Sequence, residues 1–211
     1  MQLREKLSRD RVIEAALHVL DEEGVDAVTM RRIGRELGVE AMSLYNHVRD
    51  KEDLMDGICT AIMAGFEYPE IDEQDLLGTG RRAARAWRQV LKKHPNVTQI
   101  FAERTKPMVS PEGMRPMEFA LDILRRAGLS DRDAVRTFNA FGGYIQGFVL
   151  METGQMWDRH GAMGAEVPID AYPAIAACMP YLVGADADEE FEYGLDLMLD
   201  GLRAKLDSAQ V

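Results

Sequence analysis

The 211-residue sequence predicts an all-α protein. Apolar residues recur at helical spacing along the chain, and no stretch alternates as a half-buried strand does. Ser, Thr or Asp also stands just ahead of several periodic runs, where a side-chain oxygen can cap a helix.

Taken in order, Ser8 is placed to cap a first helix whose apolar stripe is Val12, Ile13, Ala16, Leu17 and Leu20 and which stops near Gly24. Thr29 caps a second, short helix with Ile33 and Leu37 inward, and Gly38 supplies the permissive backbone of a tight turn. A third helix starts near Glu40, with Leu44 and Val48 one turn apart on its inner face. Asp50 caps a fourth, in which Leu54, Ile58 and Ile62 repeat. From Asp50 to Phe66 that helix would run about 25 Å. A loop from Tyr68 to Gly80 leads to a helix carrying Trp87. A long helix from Asp131 to Gly154, a Gly-rich stretch from Gly161 to Pro168 and a last helix from Asp188 to Lys205 complete the chain. The expected organisation is a three-helix module over residues 1–50, a connecting helix over 51–66 and a larger helical domain over 67–211.

Composition narrows the function. With 46% hydrophobic residues the chain can bury a real core, while no apolar run reaches the roughly 18 residues of a membrane span. The segment MQLREKLSRD lacks the apolar stretch of a signal peptide, so a soluble, cytoplasmic protein with no membrane partner is expected. The two cysteines, Cys59 and Cys178, lie far apart among apolar residues without zinc-like spacing and read as buried free thiols. The net charge of −11 argues against phosphate binding by the chain as a whole. The bases are nonetheless gathered: Arg4, Lys6, Arg9 and Arg11 lead the chain, and Arg31, Arg32, Arg35, Arg49 and Lys51 surround the short helices. Singly, each is an ordinary solvated helix charge; together they allow a local basic face.

Two short helices joined by a tight turn behind a longer one make a helix-turn-helix unit. With Leu44 and Val48 inward, Ala41, Met42, Ser43, Asn46 and His47 are left for a DNA groove, and Tyr45 can serve both faces. Tyr45 as a core aromatic and His47 as a satisfied surface histidine explain those two residues equally well. A catalytic reading has little to rest on: His18, His47, His94 and His160 form no constellation with the carboxylates, and GxSxG, HExxH, P-loop and GxGxxG motifs are all missing. The other alternative is a helical protein-interaction module that does not bind DNA, which lacks the steep salt dependence of duplex binding.

At these residues the segment TMRRIGRELGVEAMSLYNHVRDKEDL resembles the DNA-binding domain of the tetracycline-repressor (TetR) family of bacterial transcription regulators over about residues 8–55. The resemblance implies an all-α homodimer, a ligand-responsive repressor of a palindromic double-stranded operator, with Thr29, Arg31, Tyr45, His47 and Lys51 at the DNA backbone or groove edge and Arg32 added to them. Ala41, Met42 and Ser43 stand at the positions that choose the bases. Two of them cannot form bidentate hydrogen bonds, and contact with thymine methyl groups suits them better.

Beyond the helix-turn-helix, WRQVLKKHPNVTQIFAERTKP, ALDILRRAGLSDRDAVRTFNAFGGYIQGFVLMETG and FEYGLDLMLDGLRAKL follow the order and spacing of that repressor's later helices. The resemblance implies a dimer made by the long helix and the last one, using Phe191, Leu195, Met198, Leu199 and Leu202, with Ala134, Gly142 and Gly147 allowing close approach. The same stripe would serve an intramolecular core. A largely apolar effector would lie among Trp87, Val90, Phe101, Met117, Phe138, Phe141, Tyr144, Phe148 and Met151, residues that also suit a plain core. Glu67, Glu103 and Glu152 would add a preference for cations if they faced inward; solvent exposure is the expectation for each. The tetracycline repressor holds its drug as a magnesium chelate through a His and a Glu. Here Phe101 and Met151 stand at those positions, Ala83 stands for a polar drug contact, and Trp87 replaces a smaller aromatic. Neither Phe101 nor Met151 suits a hard cation, so a metal-free, cofactor-free pocket is expected, with tetracycline a poor effector.

Overall fold

A computed structural model of the chain describes residues 6–103, 110–154, 171–182 and 185–209, and these residues form helices and turns without a strand. The helices are α1 (Arg9–Glu23), α2 (Met30–Leu37), α3 (Ala41–Leu44), α4 (Lys51–Ala64), α5 (Leu76–Lys93), α6 (Val97–Glu103), α7 (Pro111–Arg126), α8 (Asp131–Thr153), α9 (Pro173–Leu182) and α10 (Ala187–Ala209). The predicted caps are in place. Ser8 accepts from the Arg11 amide, Thr29 from that of Arg32 and Asp50 from that of Asp53. Helix α5 starts at Leu76, so the loop predicted to run to Gly80 is shorter. Asp75 explains the earlier start: it accepts from the Gly78 amide and gives the helix its first turn. The stretch from Gly161 to Pro168 lies outside the described residues.

The chain divides into two compact units, one of residues 1–68 and 89–119, the other of 69–88 and 120–211. Helix α6, from the stretch expected in the larger domain, returns to pack with the N-terminal helices. The first unit is built on fully buried Val12, Val19, Leu20, Val28, Ile33, Leu44, Leu54 and Ile58, with Cys59 also at 0% exposure. Helix α6 packs on α4 and on the short 3-10 turn Val25–Ala27, burying Val97 and Ile100. Asn96, just ahead of α6, donates to the carbonyl of Leu20 at 2.8 Å, and His94 meets Asp21 at 2.8 Å. The Gly24 amide already caps the Leu20 carbonyl at 3.0 Å, so Asn96 adds a second donor to it, while His94 engages the Asp21 side chain.

In the second unit α8 packs against α10, burying Ile145, Phe148 and Val149 from one helix and Phe191, Leu195, Leu199 and Leu202 from the other. Four residues of the α10 stripe expected at a dimer interface are buried within the single chain. Phe191 and Leu195 are 0% exposed, Leu199 3% and Leu202 7% within the single chain, so another subunit has nothing of them to bury. Met198 is half-buried, and the apolar side chains α10 leaves outside are Tyr193 and Leu197. Cys178, expected to be buried, is exposed, because α9 buries none of its residues.

Candidate nucleic-acid interface and effector region

The surface of the first unit that α3 presents follows from the turn before it. Gly38 takes φ +65°, the left-handed conformation that an L side chain resists, and its amide closes α2 on the carbonyl of Arg35. Gly34 is buried, and a Cβ there would lie 2.9 Å from the Val39 carbonyl oxygen and 3.2 Å from the Ala41 amide nitrogen. The missing side chain lets α2 and α3 approach each other. Leu44 and Val48 hold α3 from beneath at 0% and 1% exposure. That anchoring turns the opposite face outward: Met42 is 73% exposed and Tyr45 47%, Asn46 is exposed, and Ala41, Ser43 and His47 are half-buried. Tyr45 is thus a surface aromatic and not part of the core.

Around this face Thr29, Arg31 and Lys51 are exposed. Lys51 opens the first turn of α4, where unpaired amides and the helix dipole favour an anion. Arg32 departs from the sequence-based expectation: it is engaged by Glu23 at 2.6 Å and by Glu36 at 2.7 Å, which ties the guanidinium to its own protein. Arg9, read from the sequence as part of a local basic face, is instead engaged within the protein. It donates to both carboxylate oxygens of Asp53, at 2.8 and 3.1 Å, and to the carbonyl of His47 at 3.1 Å, fixing the junction between α3 and α4. Arg9, together with the Arg49 amide, holds the Asp53 carboxyl down at about 2.

The residues predicted to line an effector pocket fall in both units. Val90, Phe101 and Met117 belong to the first, where Val90 and Phe101 are half-buried and Met117 is exposed on α7. Trp87, Phe138, Phe141, Tyr144, Phe148 and Met151 belong to the second. Phe141 packs on the cluster of Leu129, Ala134 and Leu202, whereas Tyr144 and Phe148 meet Phe191 with ring centroids 5.5 and 5.2 Å away. The Tyr144 hydroxyl donates to the Phe191 carbonyl at 2.8 Å, and burial pushes its ionisation up to about 12.

At the centre of those rings sits a cation that sequence reasoning did not single out. Arg88, 4% exposed, lies over Phe191 at 4.6 Å and Phe148 at 5.3 Å and bonds Glu152 at 2.8 and 3.1 Å and Asp188 at 2.6 Å. Glu152 therefore faces inward, against the expectation, and its charge is matched by Arg88. Glu67 is exposed as expected, and the side chain of Glu103 lies outside the described residues. Arg85 and Arg81 continue the pattern onto α10; Arg85 foremost holds Glu192 below the usual carboxylate range, and Arg81 also reaches Asp196. The signal was present in the sequence. Arg81, Arg85 and Arg88 recur at helical spacing on α5, as do Asp188, Glu192 and Asp196 on α10.

Comparison with known proteins finds two family matches in succession along the chain. Residues 12–58 match the family described as bacterial regulatory proteins of the tetR family, and residues 68–206 match the tetracyclin repressor-like C-terminal domain. The chain is 33% identical to the HTH-type transcriptional repressor DrrR1 of Streptomyces coeruleorubidus, over 93% of this chain and 77% of that one. To the class A tetracycline repressor protein from transposon 1721 of Escherichia coli it is 32% identical, over 93% and 91% of the two chains. Among solved structures, apo ActR from Streptomyces coelicolor superposes with a TM-score of 0.82 at 28% identity, covering 96% of this chain and 98% of that one. ActR has also been solved in complex with actinorhodin.

Proposed function

The chain belongs to the TetR family of bacterial regulatory proteins and is a ligand-responsive, DNA-binding repressor that works as a homodimer; from that premise we propose how its residues divide the work. Helix α3 enters the major groove of each half of a palindromic operator. Met42, Ser43, Tyr45 and Asn46 face the bases and groove edge, and Thr29, Arg31, His47 and Lys51 meet the backbone. The observation that carries this reading is the outward face of α3, held from below by Leu44 and Val48 and flanked by exposed Arg31 and Lys51. Arg32 is left out of the phosphate set because Glu23 and Glu36 engage it.

The effector is largely apolar and binds without metal. Aromatic and methionine side chains on α8 support this, and so does the chemistry of Met151, which offers no oxygen ligand to magnesium. Effector binding shifts the dimer toward a geometry in which the two α3 helices leave the separation of about 34–36 Å that successive major grooves require. The relatives are transcriptional regulators, and the protein acts in the cytoplasm without catalysing a reaction. Among the described residues no helix is long and apolar enough to cross a membrane.

The test is the salt dependence of binding to a duplex that the protein selects from a randomised pool. Lys51→Ala and Arg31→Ala should each weaken binding in a folded, dimeric protein, and Lys51→Ala should lower the salt slope by about one unit. Unchanged affinity and slope in both variants would remove α3 and α4 from the DNA.

A further inference from the structure

We infer that Met42 reads the operator through the 5-methyl group of thymine, so that half-site identity at that position is set by an apolar contact. The inference rests on the reading of α3 as the groove helix and assigns its chemistry. Met42 is 73% exposed at the second position of a four-residue helix whose inner face is filled by Leu44. It has no packing role to explain it, and burying its apolar surface gains most where a partner offers an apolar group.

In the major groove each base pair presents acceptors, donors or, at thymine alone, a methyl group. Guanine is read by a bidentate Arg or Lys, and α3 carries neither. The guanidinium of Arg32, on the preceding helix α2, is taken by two carboxylates. Ala41 and Ser43, on either side of Met42, are short and half-buried, so neither outreaches the thioether. A methionine side chain has three rotatable bonds and a polarisable sulfur, which lets it settle against a methyl group whose exact height differs between base steps. Asn46 is exposed one turn further on and has the paired donor and acceptor that match adenine. Apolar and amide groups on one face together favour A·T pairs.

The probe is the duplex selected by the wild-type protein from a randomised pool, remade with each thymine replaced singly by deoxyuridine. That change removes one methyl group and leaves base pairing intact. Binding is followed by fluorescence anisotropy for the wild type and for Met42→Ala, with circular dichroism confirming the fold. At a thymine in each half-site, loss of the methyl should weaken the wild type about fourfold, the factor that follows from burying one methyl-sized group. Met42→Ala should bind the thymine duplex more weakly and be indifferent to deoxyuridine at that position. If no thymine is sensitive, or if Met42→Ala loses as much as the wild type at the sensitive one, the assignment is overturned while α3 remains the reading helix. Failure of the wild type to select any duplex would overturn both.

Discussion

Arg9 grips Asp53 with two hydrogen bonds, at 2.8 and 3.1 Å, and so pins the first turn of α1 to the first turn of α4. The same carboxylate accepts the Arg49 amide at 2.8 Å, which makes it the knot of the segment between the reading helix and the helix that follows.

Asp53→Ala should therefore cost about 1–2 kcal/mol at neutral pH, since it removes charge-assisted bonds from a partly solvated pair. The pH profile follows from the depressed carboxyl. The Asp53 contribution is fully present above its unfolded value near 4 and is lost as pH falls toward about 2. In urea titrations the gap between wild type and variant should close over that window. A gap that stays constant would mean that the ion pair contributes nothing.

The turn into α3 can be probed at its two glycines. Gly38→Ala should cost about 1–2 kcal/mol, because φ +65° sets Cβ against the following carbonyl. Gly34→Ala should cost about 1–3 kcal/mol and weaken duplex binding further, since backbone on the facing side has to move. Wild-type stability in Gly34→Ala would show that α2 and α3 are free to separate.

Gly38 belongs to the part of the molecule that was legible in advance, whereas the close approach at Gly34 was not. Caps, turns and stripes are local: Ser8, Thr29, Asp50 and Gly38 each act within a few residues of their own position, and Leu44 and Val48 were readable from one helical turn. The α10 stripe was equally legible as a stripe, but periodicity does not say against what it packs, and the chain itself covers it. Arg88 reaches Glu152 and Asp188 across 64 and 100 residues, and no local pattern announces the inward turn of Glu152. The return of residues 89–119 to the N-terminal helices was hidden for the same reason.

Arg88→Ala should be among the most damaging single changes, about 3 kcal/mol, because the nearly buried Glu152 carboxylate loses the cation that bonds both of its oxygens. Asp188, 75% exposed, can return to water. Replacing both partners, with Arg88→Met and Glu152→Leu together, should recover much of the loss. Denaturant midpoints decide it; a double variant no better than Arg88→Ala would show that the pair is not the source of the cost.

For the dimer, two neighbouring leucines should behave oppositely. Leu197 is 59% exposed on α10, and Leu197→Glu should yield folded monomers in sedimentation, whereas Leu199→Glu, at a site 3% exposed, should unfold the chain. A dimeric Leu197→Glu protein would move the interface off that face.

The contact of Asn96 with the Leu20 carbonyl bears on how such regulators can be recombined. A cassette cut after α4 takes the reading helices but abandons the side-chain amide that reinforces the Gly24 cap of α1 and the two side chains, Val97 and Ile100, that roof the adjoining core. Grafting residues 1–66 onto a foreign sensor would thus transplant a module with a raw end. A graft that retains this DNA reader intact should carry His94 to Ile100 with it, or install equivalents in the recipient, and this requirement limits which sensors the reader can be paired with.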